Sequence, residues 1–529
     1  MMEQPFARHR RWLQDKAWLA PVLVVVAGAM TRAVACASEP GQNVVDPRSA
    51  SVSRPELEEP SDGSTDEIYG AGDAGTGGAE LAATRDGRGS DGASMSASSP
   101  SGTSPLSVLG DSVRARLPKQ ISFLLITVDT LRPDLGFMGY ERAVSPNMDK
   151  LAERSVVFEK AYSISTYTGF ALTPMMASRY PSEMPRTDRH EVKYLRDNVL
   201  LAERLLDGGY HTAGAASHFL FAPELGWIDG FERFAKVPAE GKAPPGAGID
   251  WFHSSRGLAN AAIQLLENPE VTSGPFFMWV HFLDPHKRYL EHPGFSNFGH
   301  DPRGLYDGEI AYTDHHIGRV LDALDASPLR DRTVVILTAD HGEAFGEHGF
   351  NYHGKYVWDE VVRIPLVVYL PGCTPRRIKR RMSAVELAPT VLDLAGLPED
   401  DGARGQSFAP ELFGSDLSEH PILVDQPQNP YYPLRRAFID GSHKLHFTSE
   451  VVAGSADRRV TYQLFDLARD PGEQNDLAPA EPELLERMKK AYESYVSAIV
   501  EVPPRPAGGM PPTKTAGRPV ANKGGVLAP

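Results

Sequence analysis

The sequence predicts an α/β protein, a mostly parallel sheet between helices followed by a small C-terminal subdomain of antiparallel sheet plus helix. Three observations predict it. Residues 123–128 (FLLITV), 276–280 (FFMWV) and 334–337 (VVIL) are unbroken apolar runs rich in β-branched and aromatic residues, as strands buried on both faces require. Helical stretches, 258–267 and a segment reaching 324 among them, separate these runs and supply the crossovers that parallel strands need. From about Arg435 the pattern turns to alternation at 437–439, 444–447 and 461–465, and a charged helix follows over 481–496.

Each of the three apolar runs ends in chemistry. The first runs into Asp129, Thr130 and Arg132; the second into His281, Asp284 and His286; the third into Asp340 and His341, with Gly342, Glu343, Glu347, His348 and His353 close behind. Open α/β sheets collect ligands outside the carboxyl ends of their strands. An Asp-His pair there offers a hard oxygen and an imidazole, donors suited to Zn, Mn or Fe. Helix capping by Asp340 and surface placement of the histidines would explain one such stretch. Three strands ending alike are explained more economically by one shared site.

The 529 residues are long enough for one large α/β domain plus extras, and the net charge of −15 argues against a nucleic-acid binder. An anionic substrate stays compatible with that charge, because a bound cation inverts the local field. The two cysteines, Cys36 and Cys373, predict neither a structural disulfide nor a cysteine-held zinc.

In chain order, residues 1–36 have the form of an export signal: Arg8, Arg10, Arg11 and Lys16 precede an apolar core over 18–30 that is short for a membrane span. Ala33-Val34-Ala35-Cys36 resembles a bacterial lipobox, which would make Cys36 the lipid-bearing first residue of an exported envelope or periplasmic protein. Plain cleavage near Ala35, or a short uncleaved anchor, accounts for the same residues. Residues 37–117, rich in Gly, Ser, Pro and acidic groups, read as a disordered tether. The predicted catalytic domain spans 118–430, the C-terminal subdomain 431–500 and a second disordered stretch 501–529.

Within the catalytic domain, Ser145 and Pro146 open a helix whose apolar positions, Met148, Leu151 and Ala152, continue through Val156, Val157 and Phe158. Strands are expected at 211–216 and 361–369, and a helix at 385–397. Over 161–181, Thr166, Thr168 and Thr173 present hydroxyls around Gly169 at a loop-to-helix junction. A positive helix end there would favour an attacking oxygen and a bound anion, while simple capping is the plainer use of such threonines.

Taken together, LLITVDTLRPDLGFMGY, SPNMDKLAERSVVFEKAYS, DPHKRY, YDGEIAYTDHHIG, VVILTADHGEAFGEHG, VVRIPLVVYLPG and YQLFDLARDPGEQNDLA resemble, in the family's order, the sulfatase family of the alkaline phosphatase superfamily. The resemblance covers roughly 121–496 and implies an alkaline-phosphatase-like fold. It implies that Asp129, Asp340 and His341, with Thr168, hold one divalent cation (Ca, Mn, Zn or Mg), and that His286 and His353 bind substrate oxygens or protonate the leaving group. Thr130 stands where many sulfatases have a second Asp, and the spacing of Asp284 and His286 fits a second metal poorly. His281 and His348 are expected to be supporting residues. The chain also departs from the family. Placing Ala161-Tyr162 and Tyr180-Pro181 on the family's landmarks puts Thr168 at the position of the Cys or Ser that becomes formylglycine, with Phe170 for the motif's Pro and Leu172 for its Arg. Formylglycine cannot form there. Phosphoryl-transferring branches of the superfamily attack with Thr, so the expected activity is hydrolysis or transfer of phosphoric esters ahead of sulfuric ones. The alternative is a degenerate, non-catalytic member that binds an anionic glycan or lipid headgroup. The expected partner is an anionic ester, with no nucleic acid, and with membrane contact only through a lipid anchor or the N-terminal segment.

Overall fold

The structure, a computed structural model, describes residues 109–506 apart from 189–191, 196, 239, 241–252, 296–297, 430 and 456. The export signal, Cys36, residues 37–108 of the tether and most of the C-terminal stretch lie outside the described residues.

Ten strands precede the C-terminal subdomain: β1 (Ser122–Val128), β2 (Val156–Tyr162), β3 (His211–Ala216), β4 (Arg233–Lys236), β5 (Phe276–Phe282), β6 (Thr333–Ala339), the short pair β7 (Ala344–Phe345) and β8 (Asn351–Tyr352), β9 (Arg363–Tyr369) and β10 (Arg376–Ser383). Eight of them form one sheet in the order β10-β2-β9-β6-β1-β5-β3-β4. Every pairing is parallel except those of β9, which runs against both β2 and β6. All residues of β1, β5 and β6 are buried, which accounts for their unbroken apolar runs.

Register matters more to the site than strand order. Val128 lies opposite Phe282 on one side and Ala339 on the other, so the three central strands finish level. The Asp129 N–H then donates to the Phe282 carbonyl at 2.8 Å, and Asp129 and Asp340 emerge side by side.

The C-terminal sheet has four antiparallel strands in sequence order, β11 (Ile422–Gln426), β12 (Leu434–Asp440), β13 (His443–Val451) and β14 (Arg458–Asp466). The helix Pro482–Val496 lays Tyr492 against Phe438 and Phe447 of that sheet, and the Tyr495 and Tyr180 hydroxyls meet at 2.8 Å.

Several sequence expectations need correction. The helix expected to run through Phe158 ends at Glu153, and 156–162 is strand β2. The Ser155 hydroxyl bonds back to the Leu151 carbonyl, and β-branched Val156 and Val157 pair with β9 and β10 instead of extending the helix. Strand β10 was not foreseen, because its arginines mask the alternation; Arg380 is nonetheless buried between Glu386 and Glu411. The C-terminal sheet begins at Ile422, before the expected boundary at 430, since β11 pairs with β12. Residues ahead of Leu117 also pack on the catalytic domain: Leu109 is buried, and Arg114 pairs with Asp393 at 2.9 Å. At the other end, Val502 and Arg505 donate N–H bonds to the Ser182 and Arg186 carbonyls, so 501–506 lie against the catalytic domain.

Candidate active site

Asp129, Asp340 and His341 are buried, and one ligand atom from each lies within 4.8 Å of the others. The hydrogen bonds around them leave particular atoms open. Asp340 Oδ1 accepts from the Thr130 N–H at 3.1 Å and the His341 N–H at 2.8 Å, while Asp340 Oδ2 and Asp129 Oδ1 have no hydrogen-bond partner. His341 Nδ1 lies 3.0 Å from the Gly342 carbonyl. That oxygen can only accept, so Nδ1 carries the proton and Nε2 keeps its lone pair.

Two unpaired carboxylate oxygens and an imidazole lone pair converging in a buried space fit a divalent cation, by number and by donor type. The electrostatics agree. Burial, and next the Asp129 carboxylate, push Asp340 up from the ordinary aspartate range. For Asp129, burial acts upward too, but His281, His286 and His341 outweigh it and hold the group below its ordinary range. Buried like charges of this kind stay ionised together only with positive charge between them.

Thr168 is the first residue of the helix Thr168–Ala177, and its Oγ1 lies 3.2 Å from His341 Nε2. Capping is not its role. Tyr167 occupies the cap position and makes no side-chain cap bond. The Thr166 hydroxyl reaches Gln426, and the Thr173 hydroxyl is buried without a partner. Phe170 and Leu172 are both buried. The guanidinium stacked on Phe170 belongs to Arg186, whose hydrogen bonds go to the Pro181, Met184 and Val502 carbonyls.

His286 and His353 are brought together as well. Their ring centroids are 4.9 Å apart, and His353 is 4.6 Å from His341. His286 Nδ1 faces the Lys287 carbonyl at 2.8 Å. His353 Nδ1 faces Glu343 Oε1 at 2.9 Å, and Glu343 is fully buried. Burial pushes Glu343 up to about 7 against the pull of His286 and His341, and holds His353 well below the ordinary histidine range.

The remaining expected residues sort by contact. Thr130 donates its hydroxyl to the Pro285 carbonyl at 2.8 Å, which fixes the loop leading to His286. His281 lies beside Asp129, with Nε2 3.4 Å from Oδ2, and its Nδ1 meets the Thr127 hydroxyl at 2.9 Å across the β1–β5 register. His348 points elsewhere: it stacks on Trp358 with centroids 3.9 Å apart and pairs with Glu360. Asp284 is buried and accepts from the N–H groups of Ser254 and Ser255, so it anchors the loop and lies outside the ligand set.

Sequence reasoning did not single out Glu343 as a partner of His353, nor the contribution of the C-terminal subdomain through Gln426. The two-residue offset from His341 was the available signal for Glu343. Gly342 shows how tight this turn is, since a Cβ there would sit 2.3 Å from the Glu360 carbonyl oxygen.

A doubly covered, mostly parallel sheet with a carboxylate–carboxylate–imidazole cage at its carboxyl edge is the alkaline-phosphatase-like fold of sulfatases and their relatives. The sequence pattern of the Sulfatase family matches residues 122–397, more than half of the chain, and the chain belongs to that family. It is 25% identical to choline-sulfatase of Rhizobium meliloti (strain 1021) over 68% of this chain and 82% of that one. It is 26% identical to human arylsulfatase A over 70% of this chain and 86% of that one. It shares its fold with the phosphonate monoester hydrolase of Agrobacterium radiobacter, at a TM-score of 0.58 and 20% identity, over 72% of this chain and 96% of that one. This is a sulfatase-family hydrolase.

Proposed function

We propose that this chain hydrolyses or transfers phosphoric esters ahead of sulfuric ones, with Thr168 as nucleophile and one divalent cation held by Asp129, Asp340 and His341. The observation that carries this reading is the 3.2 Å approach of Thr168 Oγ1 to Nε2 of His341, whose ligand atom lies within 4.8 Å of those of Asp129 and Asp340. A bound divalent cation there supplies Lewis-acid charge to an oxyanion.

The protein's own groups supply the rest. Thr168 begins a helix, so the positive end of that helix lies where equatorial oxygens of a phosphoryl group would sit. Its oxygen bonds to phosphorus as its proton passes to solvent; the bond to the leaving oxygen breaks, and that oxygen takes a proton from His286, with the buried, neutral His353 packed against it. Water, or a second alcohol, then cleaves the threonine ester and restores the hydroxyl. Glu343 orients His353 through the Nδ1 contact.

The preference for phosphorus follows from the side chain. Threonine is a secondary alcohol and cannot yield the aldehyde on which the sulfatase route depends. Cys373 lies after β9 and bonds to Leu370, away from this position. The relative that shares the fold and is named for phosphonate monoesters makes those esters a sensible part of any substrate panel.

Thr168→Ala should abolish turnover of an aryl phosphodiester and leave metal content intact; unchanged turnover would remove Thr168 from the mechanism. The buried Phe170 and Leu172, with no guanidinium delivered to Thr168 by Arg186, favour a second reading: a member that binds an anionic glycan or lipid headgroup without turnover. A panel of sulfate, phosphate mono- and diesters and phosphonate esters, with Mn, Zn, Ca or Mg added, separates the two. Binding without product on every ester supports the binder. Export and lipid attachment at Cys36 belong to the same proposal. Cys36→Ala should shift the protein from the membrane to the soluble fraction, and an unmoved distribution would count against the anchor.

A further inference from the structure

Residues 163–168 lead into the helix that carries Thr168, and no side chain caps that helix. Other contacts must set their path, and several of them come from one residue of the C-terminal subdomain. Gln426, the last residue of β11, is fully buried. Its Oε1 accepts from the Ser165 hydroxyl and faces the Thr166 N–H at 3.4 Å and the Thr166 hydroxyl at 3.3 Å. Its Nε2 donates to the Gly354 carbonyl at 3.2 Å, one residue beyond His353. Neighbouring bonds brace the amide. The Asp425 N–H donates to the Ile164 carbonyl at 2.7 Å, and Ser163 donates its hydroxyl to the Asp340 carbonyl.

We infer that Gln426 is a positioning residue for the reaction: one amide sets the nucleophile segment through its acceptor and the His353 loop through its donor. The inference rests on the reading of Thr168 as nucleophile. The chemistry requires an amide here. A buried carboxylate would face the Gly354 carbonyl oxygen with no proton to give, and a thioether would satisfy neither side. The C-terminal sheet is then a working part of the active site, because its first strand delivers this group.

The test uses the full chain and the fastest ester of the panel. Gln426→Met, close in shape and without the amide, should lower kcat about 10–100-fold, the scale of a misplacement of order 1 Å. KM should stay within about twofold, and the affinity of the metal-free protein for Mn²⁺ should be unchanged, since Gln426 touches no ligand. Amide hydrogen exchange in 163–168 should quicken, with the melting temperature near that of the parent. Should Gln426→Met fold poorly, Ser165→Ala removes a single bond to Oε1 and should give a smaller loss of the same kind. An unchanged kcat, or a loss that follows the folded fraction with exchange in 163–168 unaltered, overturns the inference. Thr168→Ala measured alongside keeps the two failures apart. Turnover surviving in Thr168→Ala sinks the nucleophile reading, whereas turnover surviving only in Gln426→Met sinks this inference alone.

Discussion

Two clusters of buried charge are built in opposite ways. In one, Asp129 and Asp340 stand side by side with one oxygen of each unpartnered. In the other, Lys444 is fully buried and pairs with Asp359 at 2.8 Å and Glu473 at 2.9 Å. There Glu473 Oε1 also meets His446 at 2.8 Å, and Oε2 accepts from the Asp359 N–H at 2.7 Å. The second cluster closes on itself and fastens β13 to the catalytic domain. The first leaves an oxygen of each carboxylate open, as a cation site would. Burial alone therefore does not mark a functional site in this fold; unpartnered oxygens at a shared strand end do.

The largest effect that would sharpen this contrast is on stability at the closed cluster. Lys444→Met strands two carboxylates and should cost about 3–5 kcal/mol in denaturant unfolding. The loss should also depend on pH. Burial acts to raise Glu473, but Lys444 and then His446 hold it down to about 2, from an ordinary value of 4.5. Its contribution is thus present above about pH 4.5 and fades as pH falls toward 2. Burial also lowers His446, so the unfolded chain takes that proton first and acid weakens the fold further. In the variant a stranded Glu473 can be neutralised by acid, so the penalty should shrink from pH 7 toward pH 3. A penalty constant over that range would show that the cluster is not the cause.

At the open cluster the expected change is in ligand affinity. Asp340→Asn keeps the Oδ1 acceptor for the Thr130 and His341 N–H groups and removes the charge at Oδ2. Mn²⁺ affinity should fall more than about 100-fold, beyond the usual cost of a lost outer partner. The metal-free protein should melt no lower than the parent, because a repulsion between buried carboxylates has gone. A clear drop in the metal-free melting temperature would mean that this cluster, too, is held together without a cation.

The site was legible in part. Asp129, Asp340 and His341 could be read because each follows an apolar strand, and the family pattern placed Thr168 at the nucleophile position. Glu343 and Gln426 were missed for a physical reason. A side chain that works through a hydrogen bond to another side chain leaves no periodicity or spacing in the chain, and β11, which carries Gln426, was hidden in a short run ahead of an expected boundary. Strand β10 escaped for a related cause: its buried Arg380 looks like surface until Glu386 and Glu411 are seen to neutralise it.

By itself the sequence determined the fold class, the central buried strands of the sheet and the kind of chemistry at their ends, because burial acts on neighbouring residues and leaves a pattern in the chain. Tertiary structure decided which oxygens remain open, which tautomer His341 adopts, and that an amide from β11 reaches the threonine's loop. The open oxygens and the amide contact are meetings of groups hundreds of residues apart, fixed by strand register and packing, whereas the His341 tautomer is set by the adjacent Gly342 carbonyl once the turn has formed.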